Sequence, residues 1–335
     1  MNTKNLLQKT KILAGTLAST AVLISSTSIL AADDFPTQPL NMTVSYSAGG
    51  ATDFQARIAT SKAEQYLGQP VVIVNRPGAG GQVGWNYLVQ KGGKEGYDLA
   101  AYNVPHFIAQ SLIYDTYYDI DNLEPVANWG ADPAVLIVGQ NSQFETVDDL
   151  VDYAKENPGK VTVSGAGLFV GHHIAMLQLE AAADIDLQYI PTPGGVDALR
   201  FVQGGQVMAG FNNLSDAYRS QDRIKILGVA DQQRSDKFLP DVPTFQEVGY
   251  EVDDSSVNFR GVMAPAGVPE ERLKMLSDAM VEMFNDGEIQ TKMEEGGSPM
   301  RVMGREELKE MWANRQSYLK ELFSNLDQEE LEKAK

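Results

Sequence analysis

From about residue 33 onward, short apolar and β-branched runs alternate with segments whose apolar positions recur at helical spacing. That alternation predicts α/β layers with largely parallel sheets. Leu40 to Tyr46 reads as a strand that runs into Ser47-Ala48-Gly49-Gly50-Ala51-Thr52. Phe54, Ile58 and Leu67 then mark a helix ended by Gly68, and the capping-box spacing of Thr52 and Gln55 predicts its start near Asp53. Pro70 to Asn75 is a valine-rich strand followed by the tight turn Arg76-Pro77-Gly78-Ala79-Gly80-Gly81 and a further helix. Thr146 to Glu156 reads as a capped helix stopped by Pro158-Gly159, and the strand Val161 to Val163 enters Ser164-Gly165-Ala166-Gly167. A last strand-loop-helix unit runs from Tyr189-Ile190-Pro191 through Pro193-Gly194-Gly195 into a helix across Ala198 to Val202. The tail carries two amphipathic helices, Pro269 to Asn285 and Arg305 to Leu326, and no internal repeat interrupts the pattern.

The first thirty residues depart from this pattern. Lys4, Lys9 and Lys11 form a basic start, Ile12 to Leu30 is apolar and rich in small residues, and Ala31-Ala32 precedes Asp33-Asp34. This is the layout of a secretory signal peptide, cut after Ala32. A membrane-spanning helix is the competing reading, but Thr16, Ser19, Thr20 and the Ser25 to Ser28 cluster make the run too polar. With no cysteine there is no lipid attachment at the cut, so an exported, unanchored and still more acidic mature chain is expected.

Composition narrows the chemistry. At 335 residues the chain has room for about two domains, and 43% apolar with 21% charged residues is ordinary for a globular protein. A net charge of -18 argues against nucleic acid, whose phosphates need clustered cations. The lack of cysteine removes disulfides, thiolate metal sites and a thiol nucleophile, and three histidines leave little for a metal. No cofactor and no metal are expected. The glycines at 78, 80, 81 and 84 do not fit a dinucleotide fingerprint, and no P-loop lysine follows any glycine turn.

A glycine-rich loop between strand and helix presents unpaired backbone N–H groups at the positive end of the helix dipole, a seat for an anion. For one loop alone, a connector that needs glycine for its backbone angles is an equal reading. Several such loops on one α/β scaffold favour a ligand site at the strand C-termini.

At these loops the sequence becomes specific. Phe35-Pro36-Thr37-Gln38-Pro39-Leu40, Ala48-Gly49-Gly50-Ala51-Thr52-Asp53, and Leu67-Gly68-Gln69-Pro70 on through Gly81 resemble the Bug/TctC family, the periplasmic solute-binding receptors of tripartite tricarboxylate transporters. The similarity continues through Pro191 to Gly195, Gly204 to Val207, Leu239 to Phe245 and Arg260 to Pro269. It implies a two-domain periplasmic-binding-protein (Venus flytrap) fold, type 2-like, with crossing strands and an interdomain cleft that closes on a ligand. The expected division is a signal peptide at 1–32, domain one at 33–132 plus 255–335, and domain two at 133–254. It implies a non-enzymatic, monomeric periplasmic receptor for a small di- or tricarboxylate or aromatic carboxylate, with membrane permease subunits as partners.

By the same resemblance, Tyr46, Ser47, Ala48, Gly49, Gly50 and Thr52 face Gly165, Ala166, Gly167, Phe169, Val170, Gly171 and His172 across the cleft, with Asn103, His106 and Asn212 nearby. The family commonly has Thr-Ser-Ser-His where this chain has Phe169-Val170-Gly171-His172, so hydroxyls are replaced and Phe169 is free to stack on a ligand. The alternative for Phe169 is a ring folded into the domain core. Asn212 stands where the family often has an acid that holds an ammonium, which disfavours amino acids. His106 reads as a ligand contact or a partly exposed loop residue. Arg260 reads as a tie between crossing strands or a carboxylate clamp. His172 and His173 diverge on a helix and do not make a metal pair. The alternative function is a periplasmic hydrolase using Ser47 in the same cleft, although no Gly-x-Ser-x-Gly elbow surrounds it.

Overall fold

The computed structural model describes residues 34–324. The signal-peptide reading falls on residues outside this range. The first four strands are β1 (Leu40–Val44), β2 (Val71–Asn75), β3 (Asp98–Val104) and β4 (Leu123–Asp132). Pro133 then breaks the chain, which continues almost directly into β5 (Ala134–Gly139), followed by β6 (Thr162–Gly165), β7 (Gln188–Pro191), β8 (Ala209–Asn213) and β9 (Ile224–Ala230). The chain returns through β10 (Asn258–Pro265) and β11 (Met300–Met303).

Two sheets result, ordered β11-β4-β10-β3-β1-β2 and β7-β6-β8-β5-β9. They are mixed rather than largely parallel. β1 pairs in parallel with β2 and β3, and β6 with β7 and β8, as strand-helix-strand units require. The remaining pairs, β10 with β3 and β4, β11 with β4, and β5 with β8 and β9, are antiparallel. The strands that carry the chain from one sheet to the other and back supply most of that antiparallel character, and the sequence pattern does not reveal their direction.

Period-two alternation decides which side chains go where. On β3, Leu99 and Ala101 join one core with Met42, Trp129, Val262 and Phe284, whereas Ala100, Tyr102 and Val104 join another with Trp85, Phe107 and Trp312. The first core lies under α1 (Ala51–Ala59), α2 (Ala63–Leu67), α9 (Glu270–Phe284) and α10 (Gly287–Glu295). The second lies under α3 (Gln82–Lys91), α4 (His106–Ile113) and α11 (Arg305–Ser324). The other sheet is covered in the same way. Leu136 and Val138 face α5 (Val147–Glu156) and α6 (Gly171–Ala183), while Val135 and Ile137 face α7 (Gly195–Gln203) and α8 (Leu214–Tyr218).

Local expectations fare unevenly. α5 starts with a complete capping box, the Thr146 hydroxyl accepting from the Asp149 amide at 3.1 Å while the Asp149 carboxylate accepts from the Thr146 amide at 2.9 Å. The capping box expected at Thr52 and Gln55 does not form, and α1 starts at Ala51 with Gly50 as its N-cap. Thr52 Oγ1 accepts from Asn103 Nδ2 at 3.0 Å and Arg260 Nε at 3.2 Å, so tertiary partners take the hydroxyl from its own helix.

Candidate binding cleft

β1 delivers the chain into the loop from Ser45 to Gly50, and α1 leaves it again. The Gly50 amide donates to the Ser47 carbonyl at 3.3 Å, closing the turn. Asp53, in the first turn of α1, accepts from the Gly49 amide at 2.9 Å, Asn75 Nδ2 at 2.9 Å and Arg57 Nη2 at 2.8 Å. Burial pushes the Asp53 carboxyl up, but these hydrogen bonds outweigh it and hold its pKa below the usual value. The loop is thus fixed from behind. The opening residues of α1 have amides with no intrahelical acceptor, and Gly50, Ala51 and Thr52 line a cleft with about 350 Å³ of atom-free space, part of it open to solvent.

Opposite α1 stands the start of α7. Gly194 is its N-cap, its carbonyl accepting from Asp197 and Ala198 at 3.1 Å each, and Gly194, Gly195 and Val196 line the cleft. The approach is close. A Cβ placed on Gly50 would lie 3.6 Å from Val196 Cγ2, and one on Gly194 would lie 3.7 Å from Ser47 Oγ. Two helix N-termini therefore face each other across a narrow gap, the arrangement that suits an anion.

Of the residues nominated from sequence, Tyr46, Ser47, Gly50, Thr52, Asn103, His106, Ala166 and His172 line this cleft. Ala48, Gly49, Gly165, Gly167, Phe169, Val170, Gly171 and Asn212 do not, each for a physical reason. Ala48 and Gly49 are exposed on the outer side of the turn, and the Gly49 amide is spent on Asp53. The Gly165 carbonyl accepts from the Thr192 amide at 2.8 Å and its hydroxyl at 3.0 Å, tying β6 to the loop before α7. Gly167 is a close-approach residue, since a Cβ on it would sit 2.7 Å from Gly80 Cα. Phe169 takes the core alternative. It is 1% exposed, with its ring edge-on to Tyr114, His173 and Phe323 at 5.7, 5.3 and 5.6 Å. Val170 is the buried N-cap of α6, and Gly171 is wedged beneath the Ser256 carbonyl. Asn212 acts from behind, Nδ2 donating to the Gly195 carbonyl at 2.8 Å and Oδ1 accepting from the Asn213 amide at 2.8 Å.

Ala51, inside the Tyr46 to Thr52 stretch, also lines the cleft, and sequence reasoning missed Gly194, Gly195, Val196, Asn213, Asp216 and Asn258 as cleft residues. The Pro193-Gly194-Gly195 turn before a helix carried the same signal as the loop at Gly49-Gly50. Asp216 is an acid on the cleft wall, four residues after the Asn212 position where the family often has one. It pairs with Arg219 and Asn213, and burial raises its pKa above the ordinary carboxylate value.

Arg260 is the centre of the buried polar network. Nη1 donates to Asp132 Oδ2 at 2.5 Å and Nη2 to Asn213 Oδ1 at 2.6 Å, while Nε reaches Thr52. Both members of the Arg260–Asp132 pair are fully buried. With its donors engaged by the first turn of α1, the end of β4 and the end of β8, Arg260 joins the two sheets, as the strand-tie reading expected. The histidines divide. His173 stacks on Tyr189 with ring centroids 4.3 Å apart, whereas His106 and His172 enter the cleft. Burial pulls His172 down to about 4 and His106 well below the usual value, so both imidazoles are neutral near pH 7.

Residues 55–326 match the tripartite tricarboxylate transporter family receptor, TctC. The chain belongs to this family. BugT of Bordetella pertussis is 31% identical over 287 residues, covering 80% of this chain and 86% of that protein. The solved periplasmic binding protein BugD superposes with a TM-score of 0.80 at 26% identity, covering 87% of this chain and 98% of that one. MatC from Rhodopseudomonas palustris, solved with bound malate, gives a TM-score of 0.77 at 23% identity, covering 86% and 99%. The TctC chain described here therefore has the two-domain periplasmic-binding-protein fold and is a solute-binding protein, not an enzyme. The hydrolase alternative is not favoured.

Proposed function

We propose that this TctC-family protein is exported to the periplasm, captures a small di- or tricarboxylate or an aromatic carboxylate between the N-termini of α1 and α7, and presents it to the membrane permease of a tripartite transporter. The observation that carries the reading is the facing pair of helix starts, Gly50-Ala51-Thr52 and Gly194-Gly195-Val196, in one cleft. Their amides supply hydrogen-bond donors and their dipoles favour negative charge without a free cation in the cleft. Arg260 is already engaged by Asp132. Binding bridges two parts of the molecule, so a ligand held by both helix starts favours the closed arrangement of domain one (33–132 plus 255–335) on domain two (133–254). The protein acts as a monomer. Malate in a protein of the same fold is in keeping with this reading.

A thermal-shift screen of the mature chain against carboxylic acids, amino acids and sugars tests it. A cognate carboxylate at a hundredfold excess over its dissociation constant adds about 2.7 kcal/mol of stability. Stabilisation by sugars or amino acids alone would remove the carboxylate assignment.

A further inference from the structure

β6 and α6 belong to the second sheet, but side chains of the loop that joins them are packed into a core of the first. Leu168, Phe169 and Ile174 join the cluster of Trp85, Phe107 and Trp312 under α4 and α11. Successive loop residues are each secured there. A Cβ on Gly167 would sit 2.7 Å from Gly80 Cα, so the two backbones touch. The Leu168 carbonyl accepts from Nε2 of Gln110, a fully buried residue of α4, at 3.1 Å. The Phe169 ring is then held edge-on by Tyr114, just after α4, and by Phe323 in the last turn of α11.

The backbone is bent to make these contacts. Gly167 and Phe169 have φ of 99° and 53°, the left-handed region that a side chain with a Cβ resists. A phenylalanine stays in that region only where its surroundings over-determine it, and here the surroundings belong to the other sheet. The far end of the cleft is built differently. Gly50 and Gly194 leave 3.6 and 3.7 Å beyond an added Cβ, and among the described residues no hydrogen bond joins Gly50-Ala51-Thr52 to Gly194-Gly195-Val196.

We infer that residues 167–169 form a latch that fastens the second sheet to the first by protein contacts alone, so that a ligand has only the α1 and α7 end of the cleft left to close. The inference goes beyond the carboxylate reading and uses only its clause that the two sheets close on a ligand. Gln110, Gly167, Leu168 and Phe169 are not on the cleft wall, so the latch favours the closed arrangement equally whatever is bound. A ligand that binds the closed arrangement has its apparent affinity reduced by the fraction of protein that is closed. Loosening the latch therefore weakens every ligand by one shared factor, whereas losing a ligand contact changes their ranking.

Because the chain has no cysteine, a single pair can be introduced for spin labels: Gln65→Cys on α2 and Arg200→Cys on α7, both at exposed positions. Electron–electron distances in the mature protein without added ligand are expected to show one population in this background. Phe169→Ala is expected to add a longer one, and so is Gln110→Met, whose side chain keeps the length of glutamine and cannot donate to Leu168. Phe284→Leu, a change in the other core of the first sheet, is expected to leave the distances as they are. Should Phe169→Ala fail to fold, Gln110→Met decides. A folded latch variant with the background distribution overturns the inference. In calorimetry with malate and adipate, the latch variants are expected to bind both acids more weakly by the same factor, roughly threefold or more. A change in the ranking of the two acids would make the loop part of the ligand site and overturn the latch. If the wild type binds no carboxylic acid at all, the carboxylate reading falls and the distances still decide the latch, so the two fail separately.

Discussion

The loop at residues 46–52 and the loop at 165–172 look alike in sequence, each a strand running through small residues and glycine into a helix, yet they have different jobs. The first lies open to the cleft, with Gly50, Ala51 and Thr52 on its wall and Asp53 bracing it from behind. The second is mostly filling. Phe169 is in the core, Gly165 and Gly171 are pinned by neighbouring backbone, and only Ala166 and His172 reach the cleft. The true counterpart of the first loop is the start of α7. Glycine before a helix thus reports either a place for an anion or a place for another backbone, and what surrounds it decides which.

Three substitutions test this contrast. Phe169→Ala is expected to have the largest effect, about 3–5 kcal/mol of stability in urea denaturation, because it empties a buried site between Tyr114 and Phe323. A loss below about 1 kcal/mol would place the ring outside the core. Gly50→Asp, on the other loop, should leave folding near wild type, since aspartate is a favoured N-cap and its Cβ meets nothing nearer than 3.4 Å. Its carboxylate occupies the anion seat, so ligand affinity falls by more than about tenfold, or 1.4 kcal/mol. Unchanged affinity in calorimetry would locate the carboxylate elsewhere. Asn212→Ala should have the smallest effect, weakening binding by about 1 kcal/mol through loss of its hold on the Gly195 carbonyl. Equal affinity for wild type and variant would show that α7 keeps its position without that brace.

Much of the architecture is legible because it follows from short-range rules. The valine run of β2, the Thr146 capping box and the glycine after Leu67 each specify their element locally. Half of the nominated residues line the cleft; Ser47, Gly50 and Thr52 belong to a glycine turn between strand and helix, a local signal, whereas Asn103, His106 and His172 were reached only through the family resemblance. What escaped depends on long-range packing. The destination of Phe169 is set by Tyr114 and Phe323, residues distant in sequence. Asn258 and Asp216 enter the cleft only because β10 lies between β3 and β4 and α8 follows β8. Gly167 gave the same sequence signal as Gly50, and only its approach to Gly80 shows that it serves a backbone contact.

The burial of Arg260 against Asp132 has a kinetic consequence. With its main interior cation answered from within, the cleft has only oriented dipoles to offer the anion proposed above, and their pull fades within a few ångströms, while the chain as a whole carries a charge of -18. On the proposed reading, such a surface turns a carboxylate away at long range while the helix starts hold it at short range. Encounter is therefore fastest where dissolved ions shorten the reach of the repulsion, to about 8 Å at physiological ionic strength. Capture gains speed as ionic strength rises, the reverse of a receptor that draws its anion in with a field of opposite sign.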